Sequence, residues 1–153
     1  MNKKFQALVE QILEYRWKEN PVEATYSGVH KYDGQFENFS PASRKNYHQK
    51  LTQYAKRLKR FYSKKEKLSA DELLDLKVLH SSLETEVKYE KEYQRHLRDA
   101  SFFPGFVLSG CNVLIFRDFA SPDQRGKSLL QRLKLIPAFL KLGEKNLKKT
   151  KKI

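Results

Sequence analysis

The strongest constraint on the fold is a helical spacing of apolar residues, which recur at intervals of three and four along several stretches of the chain. The clearest stretch follows Ser40-Pro41, a serine N-cap with proline at the first helical position, which is a typical helix start. Its apolar residues are Tyr47, Leu51, Tyr54, Leu58 and Phe61. With six glycines and five prolines in 153 residues, the chain has too few turn residues for an all-β protein. We therefore predict an all-α fold, an irregular antiparallel helical bundle of four main helices plus short helices.

The four main helices are predicted from their apolar spacing and their start signals. They cover residues 3–18, the stretch that begins at Ser40, residues 69–97 and residues 121–146. Ser69 and Glu72 form a capping-box pattern at the start of the third helix. Two short helices are also expected, one at 22–26 that ends at Gly28 and one buried within 102–120.

Two of the main helices carry apolar patterns that predict which side chains are buried. In the third helix a second apolar stripe lies opposite the first, so we expect packing from both sides; the second stripe is Leu74, Val78 and Tyr89. The last helix should face the core with Leu129, Leu133, Ile136, Leu140 and Leu147. Pro137 within that helix is expected to kink it.

Length and composition predict a single helical domain over 1–147, followed by a basic tail over 148–153 that is too charged to pack. The single cysteine, Cys111, excludes an intramolecular disulfide. Polar residues interrupt the N-terminal helix, so no secretory signal is expected there. No apolar run is long enough for a membrane span. We therefore expect a cytoplasmic protein.

The net charge of +13 is concentrated in the second main helix and the turn after it. Between 44 and 67 the only acid is Glu66, whereas the basic residues are Arg44, Lys45, Lys50, Lys56, Arg57, Lys59, Arg60, Lys64, Lys65 and Lys67. Such a surface suits a polyanionic partner. It is also typical of a solvated helix face, and the aromatic residues of this helix lie in its apolar seam, where they cannot stack on bases. We expect no nucleic-acid binding.

The connection over 20–34 has more residues and more polar chemistry than two helices need to be joined. His30 and Asp33 within it are candidate binding residues, because loops carry function more often than cores do. Alternatively, Asp33 accepts backbone hydrogen bonds in a turn and His30 fills a polar niche. Both interpretations remain open at this stage.

Arg117 is the third candidate binding residue, because Arg117-Asp118 is a charged pair embedded between Phe116 and Phe119. An ion pair in an apolar stretch costs desolvation unless its partners are well arranged. The pair is expected either to orient a cleft wall or to cap a helix end, and capping is the interpretation we favour.

The residues that catalysis or metal binding would need do not occur in a usable pattern. No histidine is followed by glutamate, and no Cys/His cluster has zinc-ligand spacing. A phosphate-binding glycine loop and a nucleophile with its base are equally absent. We predict no catalytic residue, no metal ligand and no cofactor in this chain, which should not act as an enzyme by itself.

Several short motifs resemble, in the same order, a bacterial family called domain of unknown function 885. They are the connection 21–33, Asn38-Phe39-Ser40-Pro41, Phe116-Arg117-Asp118-Phe119-Ala120, Arg132-Leu133, Ile136-Pro137-Ala138-Phe139-Leu140 and Asn146-Leu147. The chain departs from the family pattern at Ser27, where a bulky residue is usual. Phe102-Phe103-Pro104 is similar to the family pattern only loosely.

The resemblance implies a helical protein related to zinc metallopeptidases, in which the His-Glu zinc motif lies C-terminal to the resembling region. It therefore implies zinc only for the longer family protein, and a non-catalytic N-terminal role for this chain. The expected partner is the remainder of the longer protein, or another copy of this chain, bound through the apolar segment 102–119. The alternative is a standalone basic helical module that binds an acidic protein, nucleic acid or an anionic membrane surface.

Overall fold

The computed structural model describes residues 2–63 and 67–148, and every regular element in these residues is helical. The α-helices are α1 (Lys3–Glu19), α2 (Pro21–Tyr26), α3 (Pro41–Lys59), α4 (Ala70–Glu92), α5 (Arg95–Arg98), α6 (Phe102–Phe116) and α7 (Pro122–Lys148). Short 3-10 helices occupy His30–Tyr32 and Arg60–Tyr62. The predicted all-α bundle of four main helices is confirmed. The predicted basic tail lies outside the described residues from 149 onward.

The helix starts agree with the predicted caps. The Ser69 hydroxyl accepts a hydrogen bond from Glu72 N at 3.2 Å, and Glu72 Oε2 accepts one from Ser69 N at 2.9 Å, which completes the capping box. The predicted end of the third main helix near 97 is wrong, because α4 ends at Glu92. Gln94 adopts a φ of 45°, in the left-handed region that a continuing helix cannot use.

The chain divides into two compact units. Unit 1 comprises residues within 1–15 and 42–94, and unit 2 comprises residues within 16–41 and 95–153. The single domain expected over 1–147 stays a prediction.

Unit 1 is built around the apolar seam that the sequence predicts for α3. Tyr47 lies against Glu86 of α4, and Arg44 lies 3.8 Å from Glu90, so α3 and α4 run antiparallel. The core residues are Phe5, Leu8, Ile12, Tyr47, Leu51, Tyr54, Ala55, Leu58, Leu76 and Leu83. Phe61, the last residue of the seam, is partly buried against this core.

The second apolar stripe of α4 is exposed, so the expected packing of this helix from both sides is wrong. Leu74 is 61% exposed, Val78 is 62% exposed and Tyr89 is also exposed. Leu76 and Leu83 turn the opposite face of α4 into the core of unit 1. One face of α4 is therefore covered, and the other lies on the surface.

Unit 2 is centred on α6 and α7, which pack antiparallel. Arg125 bonds the carbonyls at the end of α6, while Gly143 lies against Phe103 at its beginning. The predicted leucine face of α7 is wrong at Leu133 and Leu140, both of which are exposed. The buried residues of α7 are instead Arg132, Phe139, Gly143 and Asn146. The helix continues through Pro137.

The apolar segment 102–120 forms α6, as predicted, but only one of its faces is buried. Phe103, Gly110, Val113 and Leu114 lie inside unit 2. Among the described residues, no single helix is both long and apolar enough to cross a membrane. The adjoining stretches 70–98 and 102–116 meet the length and composition requirement only together, as a bent pair.

Candidate functional site

The connection after α1 folds into α2, as its sequence predicts, and then into a 3-10 turn. Pro21 begins α2, and Gly28 ends it with a φ of 82°, a conformation that glycine adopts without strain. Val29 N then donates to Ala24 O at 2.8 Å, which closes the end of the helix. This turn brings His30 and Asp33 back toward the α2 backbone.

A chain of hydrogen bonds links this connection to α7. His30 Nδ1 lies 3.1 Å from Asp33 Oδ2, and the Thr25 hydroxyl donates to Asp33 Oδ1 at 2.7 Å. The same hydroxyl accepts a hydrogen bond from Arg132 Nη2 at 2.8 Å. The two predicted residues His30 and Asp33 are therefore in direct contact, and a buried arginine anchors them.

Arg132 has no exposed surface and donates to backbone oxygens from three segments of unit 2. Its Nε bonds Gln35 O at 3.0 Å, Nη1 bonds Gly110 O and Nη2 lies 3.4 Å from Pro21 O. Gly110 also allows Phe36 to pack closely, because a Cβ there would lie 2.8 Å from the Phe36 ring. Burial lowers the pKa of Arg132, while the charges of Glu37 and Asp33 act in the opposite direction.

Glu37 is a buried carboxyl in the same cluster. Its Oε1 accepts a hydrogen bond from Val22 N at 3.1 Å. No donor among the described residues reaches its Oε2. Burial raises the pKa of Glu37 from 4.5 to about 7, although hydrogen bonds from backbone N–H groups and the charge of Arg132 oppose the rise. We call Thr25, Asp33, Glu37 and Arg132 the Arg132 cluster.

The loop between α6 and α7 contacts the outer side of the connection. The His30 ring stacks on Phe119, with 3.7 Å between centroids and 6° between planes. Arg117 Nη1 donates to Tyr26 O at 2.6 Å, and its guanidinium lies 5.1 Å from the centre of the Tyr26 ring. Arg117 thus lies beside the C-terminal end of α2.

The capping expected of Arg117-Asp118 occurs at the end of α2, where Arg117 bonds the last carbonyl, and not at the start of α7. Ser121 caps α7, because its hydroxyl accepts from Gln124 N at 3.3 Å. Asp118 Oδ1 instead lies 3.4 Å from Arg125 Nη2. The charged pair is separated because Arg117 bonds the α2 carbonyl and Asp118 bonds the first half of α7.

The side chains of this arrangement hold one another and the nearby backbone in place. Arg132 and Asp33 are buried, and both are hydrogen-bonded to the Thr25 hydroxyl, whereas the side chains of His30 and Arg117 are exposed to solvent. Among residues 2–63 and 67–148, no three His, Cys, Asp or Glu side chains converge as metal ligands. The Arg132 cluster therefore holds the 21–37 segment in one conformation and leaves His30 and Arg117 accessible beside it.

The sequence interpretation missed Thr25, Glu37 and Arg132 as members of this site. A signal for Arg132 was present, because Arg132, Ile136, Phe139, Gly143 and Asn146 follow the helical spacing of four and three. An arginine and an asparagine on that face look like surface residues. The leucines on the neighbouring face of α7 gave the stronger apolar pattern.

The profile of one protein family, described as bacterial protein of unknown function (DUF885), matches residues 21–152. The matched region contains the whole Arg132 cluster and begins at Pro21, the first residue of α2. No curated protein and no solved structure matches the chain.

Proposed function

The chain belongs to the DUF885 family of bacterial proteins of unknown function, and we propose that it forms the helical, non-catalytic part of a zinc metallopeptidase-like protein. In this proposal it docks on the catalytic part through the exposed face of α6. The zinc ligands and the reacting groups belong to that catalytic part. The role of this chain is to provide a rigid helical surface beside the cleft.

The observation that carries the proposal is the apolar surface at the C-terminal half of α6. Phe116 is 79% exposed, Leu108 is 63% exposed and Ile115 is 48% exposed. Positions 108 and 115 are seven residues apart, two turns on one face of the helix. Large apolar side chains grouped on one face mark an interaction surface.

A shallow hollow extends this surface toward the start of α6. It has a volume of about 640 Å³ and is lined by Pro104, Phe106 and Leu108, with Arg95 at its edge. Apolar residues with a few polar groups around them are typical of a protein interface. This continuity supports docking on a partner of substantial size.

The family relationship supports a bacterial source for the chain. The resemblance of the motifs to zinc metallopeptidase-like proteins supports the proposal that the partner is a zinc-binding catalytic part. The Arg132 cluster contributes indirectly. It fixes the 21–37 segment and, through Tyr26, holds Arg117 immediately after α6. The residue that follows α6 is therefore held by a hydrogen bond, which fixes the end of the helix that carries the apolar face.

The test is to capture the native protein from its source bacterium with an antibody against this chain. We expect a species heavier than 18.1 kDa, or a second polypeptide that carries a His-Glu zinc motif, together with zinc and peptidase activity. Intact-mass spectrometry, metal analysis and a peptide-hydrolysis assay measure these three properties. A species of 18.1 kDa with no associated peptidase and no zinc would contradict the proposal.

A pair of matched variants tests the docking surface itself. The double change Ile115→Glu with Phe116→Glu should remove capture of the catalytic part, or its activity where both parts are one polypeptide. The control is Leu74→Glu with Val78→Glu, which places the same charges on two apolar residues of α4 that are also exposed. If both variants behave alike, the α6 face is not the docking surface.

The alternative function, a standalone basic binding module, has support from the exposed cations of α3, such as Lys45, Lys56 and Lys59. The aromatic residues of α3 do not assist it, because Tyr47 and Tyr54 are buried in the core of unit 1. A basic module should be retained on heparin at about physiological salt and released steeply as salt rises. Loss of retention at that salt concentration would remove this alternative.

A further inference from the structure

An open groove of about 460 Å³ lies between α3 and α4 within unit 1. Its floor includes Ala55, which is buried, and Val87, which packs against the core of the unit. Ala55 leaves the groove open because its side chain is a single methyl group. Volumes of about 300–1,000 Å³ are usual for small-ligand sites.

The groove follows one edge of each helix. On α3 its residues run from Thr52 to Lys59, about 10 Å along the axis, and on α4 they run from His80 to Glu92, about 18 Å. Within these stretches the lining positions recur at intervals of three and four, so the groove is a property of the two helix faces. Its shape suits an elongated ligand.

Four lysines dominate the polar lining of the groove. Lys56 and Lys59 belong to α3, and Lys88 and Lys91 belong to α4. All four are exposed, so their aliphatic stems line the groove while their ammonium groups reach water.

Two carboxylates also line the groove and offset part of this charge. Glu84 Oε1 lies 3.7 Å from His80 Nε2, and Glu92 lies near the end of α4. Four cations against two anions leave the groove positive, and the histidine adds to this charge when it is protonated.

The lining excludes several kinds of anionic ligand. Among the described residues that form it, none is phenylalanine, tyrosine or tryptophan, and the His80 ring is the one ring that a nucleobase could stack on. None is arginine, so no planar fork is available for bidentate binding of a phosphate or a carboxylate, and an anionic group must pair with the lysines. The groove reaches the last residues of both helices, Lys59 and Glu92, and lies away from the free N–H groups of their first turns.

We propose that this groove binds a single-chain anionic amphiphile, an aliphatic chain that ends in a carboxylate. The chain lies on Ala55, Val87 and the lysine stems, and the carboxylate pairs with the lysine ammonium groups. The complementary charge of the groove selects the anion, and the absence of phenylalanine, tyrosine and tryptophan among its described lining residues favours an aliphatic chain over a nucleobase. This proposal does not depend on the docking of α6, which belongs to unit 2.

Isothermal titration calorimetry with decanoate, below the concentration at which it forms micelles, tests the proposal with the full chain. We expect saturable binding of decanoate and much weaker binding of acetate, which has the charge without the chain. Decanol, which has the chain without the charge, should also bind more weakly. Amide chemical-shift changes should fall on residues of 52–59 and 80–92.

Variants of the four lysines test the source of the affinity. Changing Lys56, Lys59, Lys88 and Lys91 together to Gln should weaken decanoate binding by about tenfold or more. The same four positions changed to Arg should retain binding. The control is Lys→Gln at the exposed positions Lys45, Lys77, Lys134 and Lys141, which removes the same total charge outside the groove.

Four results would overturn the proposal. They are no saturable decanoate binding, decanol binding as tight as decanoate binding, an equal loss of affinity in the control variant, and shift changes outside the groove. Phosphatidylglycerol vesicles and a single-stranded oligonucleotide are tested in parallel. Binding of either one without binding of free decanoate would assign the surface to a membrane or to nucleic acid instead.

Discussion

The cores of unit 1 and unit 2 are built from different kinds of side chain. Unit 1 buries leucines and tyrosines at helical spacing, and its buried charged residues Arg44 and Glu72 lie in the first turns of α3 and α4. Unit 2 buries Arg132 in the middle of α7 and Asn146 near its end, beside a group of phenylalanines. The two units therefore differ in where their polar side chains are buried, at the starts of helices in unit 1 and further along a helix in unit 2.

This difference shows what stabilises each unit. In unit 1, apolar side chains make up most of the core between the helices. In unit 2, Arg132 and Asn146 connect helices to irregular segments through backbone carbonyls; Asn146 Nδ2 donates to Phe39 O at 2.9 Å. Each buried donor is satisfied only while the segment it bonds stays in place. Unit 2 therefore depends on a few specific contacts.

The largest expected effect is that of Arg132→Leu. The change leaves the backbone oxygens of Gln35 and Gly110 without their donor and removes the cation beside Asp33 and Glu37. We expect a loss of about 3–5 kcal/mol in the free energy of unfolding, measured by urea denaturation. Hydrogen exchange should accelerate most within 21–37.

Lys134→Leu, at an exposed position on the same helix, is the control and should change stability by less than about 0.5 kcal/mol. The counterpart in unit 1 is Leu51→Ala, for which a cavity in a close-packed core predicts a loss of about 2–5 kcal/mol. Equal effects of Arg132→Leu and Lys134→Leu would show that unit 2 does not depend on its buried arginine.

The next largest effect is a pH dependence carried by Glu37. The pKa of Glu37 is about 7 in the folded chain, above its ordinary value of 4.5, because the carboxyl is buried. Between these two values the folded state holds the proton that the unfolded state has lost, so stability falls as pH rises. Glu37→Gln keeps the acceptor for Val22 N and should be more stable than the natural chain at pH 8, by about 3 kcal/mol at most.

The measurement is the free energy of unfolding at pH 5 and at pH 8 for both chains. At pH 5 the two chains should differ little, because Glu37 is then protonated in the folded state. Glu10→Gln, an exposed carboxyl of α1, is the control. Parallel pH profiles of the natural chain and Glu37→Gln would mean that Glu37 is charged in the folded protein.

The sequence predicted unit 1 better than unit 2 for the same physical reason. Leu51, Leu58 and their neighbours satisfy both the helical spacing and the expectation that apolar residues are buried. In α7 these two signals disagree, since the buried positions include Arg132 and Gly143 while Leu133 and Leu140 are exposed. The starts of the main helices were predictable because they depend on local caps and spacing, whereas the end of α4 at Glu92 was not.

Within the candidate site, only contacts between residues close together in the sequence were predictable. His30 and Asp33 are three residues apart, and their contact follows from a single turn of chain. Their link to Arg132 joins positions about a hundred residues apart, which no local pattern predicts. Glu37 was equally hidden, because its raised pKa comes from burial by distant segments.

A smaller effect separates two glycines of α7. A Cβ at Gly143 would lie 2.6 Å from the Phe103 ring, whereas one at Gly126 would have open space around it. We expect Gly143→Ala to cost about 1–3 kcal/mol through overpacking. Gly126→Ala should gain up to about 1 kcal/mol, because alanine is the better helix former. Thermal unfolding of both variants measures the difference, and equal shifts would show that Phe103 can move aside.

The smallest expected effect tests a rule that both units share. Ser69→Ala removes the hydroxyl that caps α4, and Ser121→Ala removes the hydroxyl that caps α7. Each should cost about 1 kcal/mol, as N-cap substitutions usually do. Urea denaturation of the two variants gives the comparison. Similar losses would mean that the two units differ in their cores and not in the capping of their helices. A several-fold larger loss for Ser121→Ala would instead mean that the start of α7 is coupled to the buried arginine about three turns further along.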